Sequence, residues 1–472
     1  MTSTINRQFI DGKLVESGGQ DRYTVNSAVT GETLAYATMG DEADVARAVE
    51  AAKRALPAWS ATSLEERRGY LQKLADAFAA HSDAMVSALV EEFGTTTPTA
   101  RYIVSQSRDW FIAAQDLVTD DTFVEQIGDA TVNHVPVGVA VLITPWNGAS
   151  WFMAMKASVA LAAGCTVIFK PSERGIWQVQ PVIDALAEAG LPDGVINVVV
   201  GRGNPVGNAL TQHPDVAKVS LTGSTATGKV IARNGVDTMK RVTLELGGKS
   251  ATVILEDADL AQAVPFAVQA GLFNNGQACI AGTRVLIPAS REDELKQALA
   301  EAVSSLKVGD PTEPDTAVGP VLDREQYDRI QSYIRKGLED GGELLAGGEG
   351  HPEGLEGGNY VKPTLIAATN DDTIAREEIF GPVLTVITYQ DEAEAIRIAN
   401  DSDYGLHAYV AAGDVDHGRE VARQIRAGRV MVNDVIDAPD APFGGFKQSG
   451  IGREFGRFGI AAYLETQTIF SK

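Results

Sequence analysis

The chain uses very little cysteine, with only Cys165 and Cys279 among its 472 residues. Two cysteines cannot build a disulfide framework, and such sparse use is typical of the reducing cytoplasm, where we expect this protein to reside. The sequence also has no Cys-x-x-Cys pair, and none of its six histidines stands at a zinc-ligand or catalytic spacing. We therefore expect no metal site, and a papain-like cysteine–histidine hydrolase is not supported.

Long apolar runs and an excess of basic residues are absent as well. The first residues lack the apolar segment of a signal peptide, and Lys156 and Gly164 interrupt the apolar run near residue 160, so we expect neither secretion nor a membrane span. The formal net charge of −23 excludes a general nucleic-acid binder, because no basic face would neutralise phosphates. An anionic ligand would have to be held by local devices such as helix N-termini.

Alternating strand and helix patterns fill most of the chain. Hydrophobic residues make up 44% and charged residues 22%, as in soluble globular proteins, and the length suffices for two or three domains. A second alternating block follows Cys279, so we predict an α/β fold with parallel sheets between layers of helices. The glycine-rich segment 341–358 is predicted to be an exposed loop. The strand patterns of the first block lie at 137–144, 166–170, 195–200, 218–223 and 241–246.

Two strand ends carry residues suited to a nucleotide. The segment 218–230, KVSLTGSTATGKV, combines a strand end, two glycines and a helix start, an arrangement that can hold a phosphate. It nearly matches a nucleoside-triphosphatase loop, but Val230 stands where a magnesium-ligating hydroxyl is needed, so a dinucleotide site or a plain helix start remains. Lys170 and Glu173 follow another strand, where open α/β sheets bind ligands. They could contact ribose hydroxyls or form an ordinary solvated ion pair.

Three further polar residues stand in contexts that suggest chemistry. Asn147 follows a strand and could donate its amide to an oxyanion or simply occupy a turn. Glu245 lies in an apolar string, so it is either buried with partners or functional. Cys279 lies in NNGQACIAG, whose small polar neighbours suggest a tight turn, with a small buried cysteine as the alternative. Together with the nucleotide motif, these residues favour a thiol nucleophile beside a cofactor.

Seven motifs, in this order over nearly the whole chain, resemble those of the aldehyde dehydrogenase superfamily: PWN, KPSE, TGSTATG, LELGGK, GQAC, EEIFGPV and PFGGFKQSGIGRE. Resemblance to this NAD(P)-dependent, hydrolytic family implies a Rossmann-type cofactor domain, an α/β catalytic domain and a small β oligomerisation element made of a hairpin and the C-terminal strand. The implied boundaries are 1–119 and 138–247 for the NAD-binding domain, 248–447 for the catalytic domain, and 120–137 with 458–472 for the oligomerisation element.

The resemblance also implies a role for particular residues. Cys279 would be the nucleophile, Asn147 and the Cys279 backbone N–H would form the oxyanion hole, and Glu245 would be the general base. Lys156 and Glu454 match positions that the family links to proton relay and to bracing of the site. Of eight implied cofactor-binding residues, Trp146, Lys170 and Glu173 would lie at the adenosine half, Gly223 and Ser224 at the pyrophosphate, and Glu378 and Phe380 at the nicotinamide end. For Ser172 the resemblance implies cofactor binding without naming the part of the cofactor. These eight are Trp146, Lys170, Ser172, Glu173, Gly223, Ser224, Glu378 and Phe380.

The implied activity is NAD-dependent oxidation of an aldehyde to the carboxylic acid through a cysteine thiohemiacetal and thioester. NAD is expected over NADP because the 2′-phosphate would meet Glu173. The expected partners are a small aldehyde and further copies of the chain, as a homodimer or homotetramer, and neither nucleic acid nor membrane. Arg453 would reach Glu465 in the C-terminal strand. Two alternatives stay open: a non-redox cysteine acyl transferase or thioesterase, and a non-catalytic structural member of the fold.

The sequence departs from the family pattern near the expected substrate site. Gly148 stands where many relatives carry Phe, and Met155 stands where an aromatic residue is frequent. We therefore expect the substrate pocket to be wider or less aromatic than is usual in the family. Asp434, Asp437 and Asp440 lie close to the expected substrate mouth. They would either favour polar or cationic aldehydes or be solvated loop residues.

Overall fold

A computed structural model describes residues 3–435 and 438–471. Its helices are α1 (Glu42–Ser60), α2 (Leu64–Ala80), α3 (Ser82–Phe93), α4 (Thr97–Asp116), α5 (Asp120–Phe123), α6 (Ala149–Ala162), α7 (Ile176–Glu188), α8 (Asn208–Gln212), α9 (Thr225–Val236), α10 (Leu260–Leu272), α11 (Glu292–Ser304), α12 (Arg324–Glu339), α13 (Thr373–Arg376), α14 (Glu392–Asn400), α15 (Val415–Ala422) and α16 (Gly456–Ala461).

The strands are β1 (Ser3–Ile5), β2 (Arg7–Ile10), β3 (Lys13–Glu16), β4 (Arg22–Asn26), β5 (Thr33–Thr38), β6 (Val124–Ile127), β7 (Ala130–Pro136), β8 (Val139–Thr144), β9 (Thr166–Pro171), β10 (Ile196–Val198), β11 (Val216–Thr222), β12 (Arg241–Glu245), β13 (Ala251–Ile254), β14 (Arg284–Pro288), β15 (Glu343–Ala346), β16 (Thr364–Ala367), β17 (Val383–Tyr389), β18 (His407–Ala411), β19 (Arg429–Val432), β20 (Gly450–Ile451) and β21 (Leu464–Phe470). Within the described ranges, helices that combine the length and the apolarity needed to cross a membrane are absent.

The first large sheet has the strand order β20-β12-β11-β8-β9-β10-β2-β3, and its central strands β12, β11, β8, β9 and β10 are parallel. The apolar run at 137–144 forms β8, in which all six residues are buried. Val139 and Val141 face a core shared with α1, α8 and α9, whereas Ala140 and Leu142 face one shared with α2, α4, α6 and α7. Helices on both faces explain why this strand is apolar throughout.

The second large sheet has the order β15-β16-β17-β14-β13-β18-β19 and is parallel except at β15. Helices α10 and α11 cover one face, and α12 to α15 cover the other. The segment that carries Cys279 connects α10 to β14. One prediction is wrong here: the glycine-rich segment 341–358 is not a plain loop, because Glu343–Ala346 pairs antiparallel with β16 as an edge strand.

A three-stranded sheet, β21-β7-β6, contains the predicted hairpin and C-terminal strand. The predicted contact between Arg453 and Glu465 is wrong. Glu465 accepts a hydrogen bond of 2.5 Å from Arg241, at the start of β12, whereas Arg453 donates to the carbonyls of Gly445 and Gly452. Arg453 follows a glycine-rich turn whose carbonyls lie within its reach, so β12, and not that turn, is tied to β21.

Candidate active site

The predicted site residues follow the carboxyl ends of parallel strands in the first sheet. Asn147 comes after β8, Lys170 is the last residue but one of β9, Gly223 comes after β11, and Glu245 ends β12. Because these ends meet along one edge of the sheet, an open α/β sheet binds ligands there. Cys279, from the second block, lines a cavity together with Asn147.

Side-chain amides fix the backbone that carries Cys279. Asn274 and Asn275 have φ angles of 56° and 59°, in the left-handed region that asparagine tolerates better than most residues. The Asn275 amide donates to the carbonyls of Gly94 (2.9 Å) and Pro320 (3.0 Å). These bonds join residues that are 181 and 45 positions apart in the chain, and they hold a strained turn in one conformation.

Hydrogen bonds between side-chain amides and backbone carbonyls also hold Asn147. Its side-chain Nδ2 donates to the Gln277 carbonyl at 2.9 Å, and its own carbonyl accepts from Asn274 at 3.2 Å. Gln178, at the start of α7, donates to the Trp146 carbonyl at 2.8 Å. A primary amide has two N–H donors, so Asn147 keeps one N–H for a ligand.

The two cysteines differ in exposure. Cys165 is fully buried, and burial raises the pKa of its thiol to about 11. Cys279 is half-buried and lines the cavity. Burial, with the nearby charges of Glu378 and Glu245, raises the pKa of Cys279 to about 12, so its thiol is protonated at neutral pH and needs a base before it can attack.

Glu245 is 2% exposed, and neither of its carboxyl oxygens has a hydrogen-bond partner among the described residues. Burial raises its pKa well above the usual range, and the neighbouring Glu454 adds to the rise. Glu454 is itself buried, and its Oε1 accepts from Lys156 Nζ at 2.6 Å and from Ser220 Oγ at 2.9 Å. The structure thus brings together the predicted base and the predicted Lys156–Glu454 pair.

The cavity beside Cys279 encloses about 650 Å³, counting its open mouth. Met155 and Gly148 line it as expected, and a Cβ at Gly148 would lie 3.5 Å from Ile103. The comparison with relatives stays a prediction, but the wall is aromatic even without such side chains at positions 148 and 155, because five aromatic side chains from other positions line it. They are Trp151, Phe152, Phe273, Phe443 and Phe455.

The acidic residues near the mouth contribute little to the described wall. Asp434 and Asp440 are exposed and are not among the residues that line the cavity. Asp437 lies outside the described residues. For Asp434 and Asp440, this position favours the interpretation as solvated loop residues.

A groove of about 1300 Å³ runs along the strand ends and is lined by Lys170, Ser172, Glu173, Gly223 and Ser224. Lys170 is buried, and its Nζ lies 3.0 Å from Glu173 Oε2, so this is not the solvated ion pair considered above. Burial lowers the pKa of Lys170. For Glu173, burial is the largest single effect and would raise the pKa, but the Lys170 ammonium, a backbone hydrogen bond and Arg202 together outweigh it, so the net shift is downward.

The helix that starts at this groove is α9. Ser224 caps it by accepting from the Thr227 backbone N–H at 3.2 Å. A Cβ at Gly228 would lie 2.6 Å from Leu246, so glycine lets the helix pack closely against the sheet. The positive end of the α9 dipole therefore faces the groove.

A second part of the groove, about 800 Å³, connects this helix end to Cys279 and is also lined by Glu378 and Phe380. The Glu378 carboxylate accepts from the Gly248 N–H at 3.0 Å, and burial raises its pKa to about 7. Phe380 has a φ of 64°, a strained backbone for this residue type. Trp146 packs edge-on against Phe380 and lines both parts of the groove. It therefore lies where the two parts meet, whereas the resemblance implied a position near the adenosine half alone.

Sequence reasoning missed the residues that position the site. Gln178 lies in a regular helical pattern, and nothing there indicates its contact with the loop at Trp146. Gln277 and Asn274 were visible only as small polar neighbours of Cys279, with no sign of their bonds to Asn147. Arg429 was also missed, because its contact with two aromatic rings of the cavity depends on the fold.

A model of the aldehyde dehydrogenase family matches residues 14–469. The chain belongs to the aldehyde dehydrogenase family. Aldehyde dehydrogenase C of Pseudomonas syringae, solved with NAD⁺ and octanal, is 39% identical, covers 98% of this chain and 96% of its own, and superimposes with a TM-score of 0.97. Betaine aldehyde dehydrogenase of Staphylococcus aureus, solved with NAD⁺, is 35% identical over 98% of this chain and 94% of its own, with a TM-score of 0.94.

A Staphylococcus saprophyticus protein with a provisional name of the same family is 43% identical over 465 residues, which are 98% of both chains. The predicted family, fold class and enzyme class are therefore confirmed. The residue roles and the domain boundaries stay predictions.

Proposed function

We propose that this chain oxidises an aldehyde to the carboxylic acid with NAD as cofactor, through a covalent intermediate on Cys279. One observation carries the proposal: Cys279, Asn147, Phe152 and Thr222 line both the apolar cavity and the groove that starts at α9. A substrate in the cavity and a dinucleotide in the groove would therefore meet at the thiol. The NAD-bound relatives described above support the choice of cofactor.

The groove fits NAD by its own chemistry. A Cβ at Gly247 would lie 2.4 Å from Glu378 Oε2, so glycine lets this carboxylate lie close to the backbone at the groove. Glu173 and Glu378 would accept hydrogen bonds from the two riboses, and the N-terminus of α9 would hold the pyrophosphate. When bound there, NAD supplies a hydride acceptor next to Cys279.

The first half of the reaction uses Cys279 and Asn147. The Cys279 thiolate attacks the aldehyde carbon, a C–S bond forms, and the carbonyl oxygen becomes an alkoxide. The free N–H of Asn147 and the backbone N–H of Cys279 stabilise that charge, because preorganised donors cost no reorganisation when it develops. Loss of a hydride from this adduct leaves Cys279 acylated as a thioester.

The second half uses Glu245 and the pair next to it. The Glu245 carboxylate takes a proton from water, and the hydroxide attacks the thioester carbon and breaks the C–S bond, which releases the acid and the thiol. Glu454 lies beside Glu245 and is bonded to Lys156 and Ser220. We infer that this buried group receives the proton from Glu245 and restores the base.

The test is a substrate panel in which NADH formation is followed by absorbance and acylation of Cys279 by mass spectrometry. NADH in proportion to the acid formed, and its loss in Cys279→Ala, are expected. Thioester turnover without any NADH would instead favour the non-redox acyl transferase, and no turnover of any aldehyde would favour a non-catalytic member.

We also propose that the chain forms a homodimer or homotetramer. Strand β21 lies at the edge of its sheet, and its Ile469 and Phe470 side chains are exposed by 47% and 80%. An exposed apolar edge strand is normally covered by another chain. Light scattering at micromolar concentration should give a multiple of 50.0 kDa, and a monomer would contradict the proposal. The cytoplasmic location stays a prediction.

A further inference from the structure

A small polar cluster lies behind the cavity that Cys279 lines. Glu454 lines that cavity, and the side chains of Lys156, from α6, and Ser220, from β11, bond to it from inside the protein. All three residues are buried: Glu454 is 4% exposed, Lys156 1% and Ser220 0%. Polar groups at this depth are costly unless they are bonded, so the pattern of their bonds indicates what the cluster does.

The position of Ser220 follows from the alternation of side chains along β11. One set of alternate residues belongs to the apolar core on the far face of the sheet. Lys218, Ser220 and Thr222 point to the opposite face, and all three are buried. Thr222 lines the cavity, so Ser220 lies one step deeper on the same face. Because strands covered on both faces are usually apolar, a serine here requires polar partners, and it has two.

The bonds around Ser220 form a closed triangle. Lys156 Nζ donates to Ser220 Oγ at 2.9 Å and to Glu454 Oε1 at 2.6 Å, and Ser220 Oγ donates to the same Oε1 at 2.9 Å. A carboxylate oxygen has two lone pairs, so Oε1 accepts all that it can. Glu454 Oε2 is buried and has no hydrogen-bond partner among the described residues. A proton that arrives at Glu454 therefore adds to Oε2.

A second buried cation, Lys218, stands outside this triangle. Its ammonium donates to Thr243 Oγ1 at 2.7 Å and lies 4.6 Å from the ring centre of Tyr463. Lys156 is thus the cation bonded to Glu454, and Lys218 acts on that carboxylate through its charge. Further ionisable groups whose charges act on Glu454 or on Glu245 are Cys279, Arg429, Arg453 and Tyr463.

We propose that Ser220 is a positioning residue for hydrolysis of the thioester: its hydroxyl fixes Glu454 at Oε1 and leaves Oε2 as the atom that takes the proton from Glu245. This inference rests on the proposed function and adds a residue and an atom to its second half. Water gives a proton to Glu245, Glu245 gives it to Glu454 Oε2, and Oε2 releases it to water in the cavity that Glu454 lines. Lys156 and Ser220 keep their own protons and hold the acceptor in place.

Loss of the Ser220 hydroxyl would change proton transfer in a defined direction. The Glu454 carboxylate would lose a charge-assisted hydrogen bond that stabilises only its charged form, so it would hold a proton more readily. A Glu454 that already carries a proton cannot take another from Glu245. Hydrolysis should therefore slow at neutral pH and recover as the pH is raised.

The experiment acylates Cys279 with 4-nitrophenyl acetate, without NAD. The ester transfers its acetyl group to the thiol and releases 4-nitrophenol, so a burst of absorbance counts the acylated sites and the steady rate that follows reports hydrolysis. Rates are measured at pH 7 and pH 9, and Cys279→Ala gives the background. In Ser220→Ala we expect a burst of about one equivalent and a steady rate that falls ~10-fold or more at pH 7 and less at pH 9. Acetylated Cys279 should accumulate and be visible by mass spectrometry.

Three variants control the result. Ser220→Thr keeps the hydroxyl and should stay within ~3-fold of the wild-type rate. Ser158→Ala removes an equally buried hydroxyl on α6, whose Oγ donates to the Met155 carbonyl at 2.9 Å, and should leave both rates unchanged. If Ser220→Ala does not fold, Ser220→Cys takes its place, because a thiol is a weak donor and should slow hydrolysis in the same direction.

The outcomes distinguish the role of Ser220 from the proposed function. The role of Ser220 is overturned if wild-type Cys279 is acetylated and hydrolysed while the Ser220→Ala rate falls by less than ~10-fold at pH 7, or falls equally at both pH values. The proposed function would then still stand. Wild-type protein that takes up no acetyl group on Cys279 would refute the covalent mechanism, and the role of Ser220 with it.

Discussion

Replacement of Glu245 by glutamine separates the two half-reactions of the proposed mechanism. The side chain keeps its shape, but it can no longer take a proton. Both Glu245 oxygens lack a hydrogen-bond partner among the described residues, so the substitution breaks no visible contact. A general base contributes about 10²–10⁴-fold, and steady-state turnover should fall by that factor, which corresponds to roughly 3–5 kcal/mol in the barrier.

The assay is a stopped-flow trace at saturating NAD and aldehyde. If Glu245 serves hydrolysis alone, about one NADH per active site should still form in a fast burst, and the acyl group should be found on Cys279 by mass spectrometry. The Cys279 thiol, with its pKa raised to about 12, also needs a base. A slow burst would therefore show that Glu245 activates the thiol too. A normal steady rate with no trapped acyl group would refute the assignment, and Glu454 would become the candidate base.

Stability provides a control for misfolding of Glu245→Gln. Burial holds the Glu245 pKa above its unfolded value, so the neutral form is favoured in the folded protein. The contribution of Glu245 to stability is therefore greatest below the pKa that it has in the unfolded chain. This contribution is lost as the pH rises toward the higher pKa that Glu245 has in the folded protein. The variant should therefore melt at a higher temperature than wild type at pH 8, with a smaller difference at pH 5. A lower melting temperature at both values would mean that the substitution damages the fold.

Three other predictions concern the thiol and the cofactor. In Cys279→Ala, NADH formation and labelling by a thiol reagent should both vanish, because Cys165 is buried, and labelling that persists would contradict this. Glu173→Gln should raise the kcat/KM ratio of NADP to NAD by about 10- to 100-fold, since Lys170 already compensates part of the charge; an unchanged ratio would mean that Glu173 does not meet the 2′-phosphate. The Kd for NAD should fall as the pH rises through about 7, where the Glu378 carboxyl ionises, and calorimetry from pH 6 to 8 should show a flatter profile in Glu378→Gln.

The positions of the candidate residues along the chain were predictable because strand ends are local features. The apolar run that forms β8 and the glycines around α9 place Asn147 and Gly223 on the same sheet edge without any knowledge of long-range contacts. The capping box that Ser63 and Glu66 form at the start of α2 is equally local, since both partners lie within one helical turn.

The contacts that join distant parts of the chain could not be predicted from such patterns. Lys156 and Glu454 are 298 residues apart, and Arg241 and Glu465 are 224 residues apart. The resemblance implied Arg453 as the partner of Glu465, and this was wrong because Arg241 bonds to Glu465, whereas Arg453 bonds to carbonyls of the glycine-rich turn beside it. The aromatic wall is a further case, since its rings come from four separate stretches of the chain.

The hydrogen bonds of the site are distributed unevenly, and this distribution fits the proposed chemistry. The backbone around Cys279 and Asn147 is held by amide groups with fixed partners, which keeps the nucleophile and the oxyanion donor in place. Glu245 has no such partner in the part of the chain that the structure describes, and it is instead buried beside Glu454. A buried carboxylate held by several donors would have a lowered pKa and would be a poor base. The groups that must stay in position are therefore well bonded, whereas the group that must exchange a proton is left able to do so, at a cost in stability that Glu245→Gln would remove.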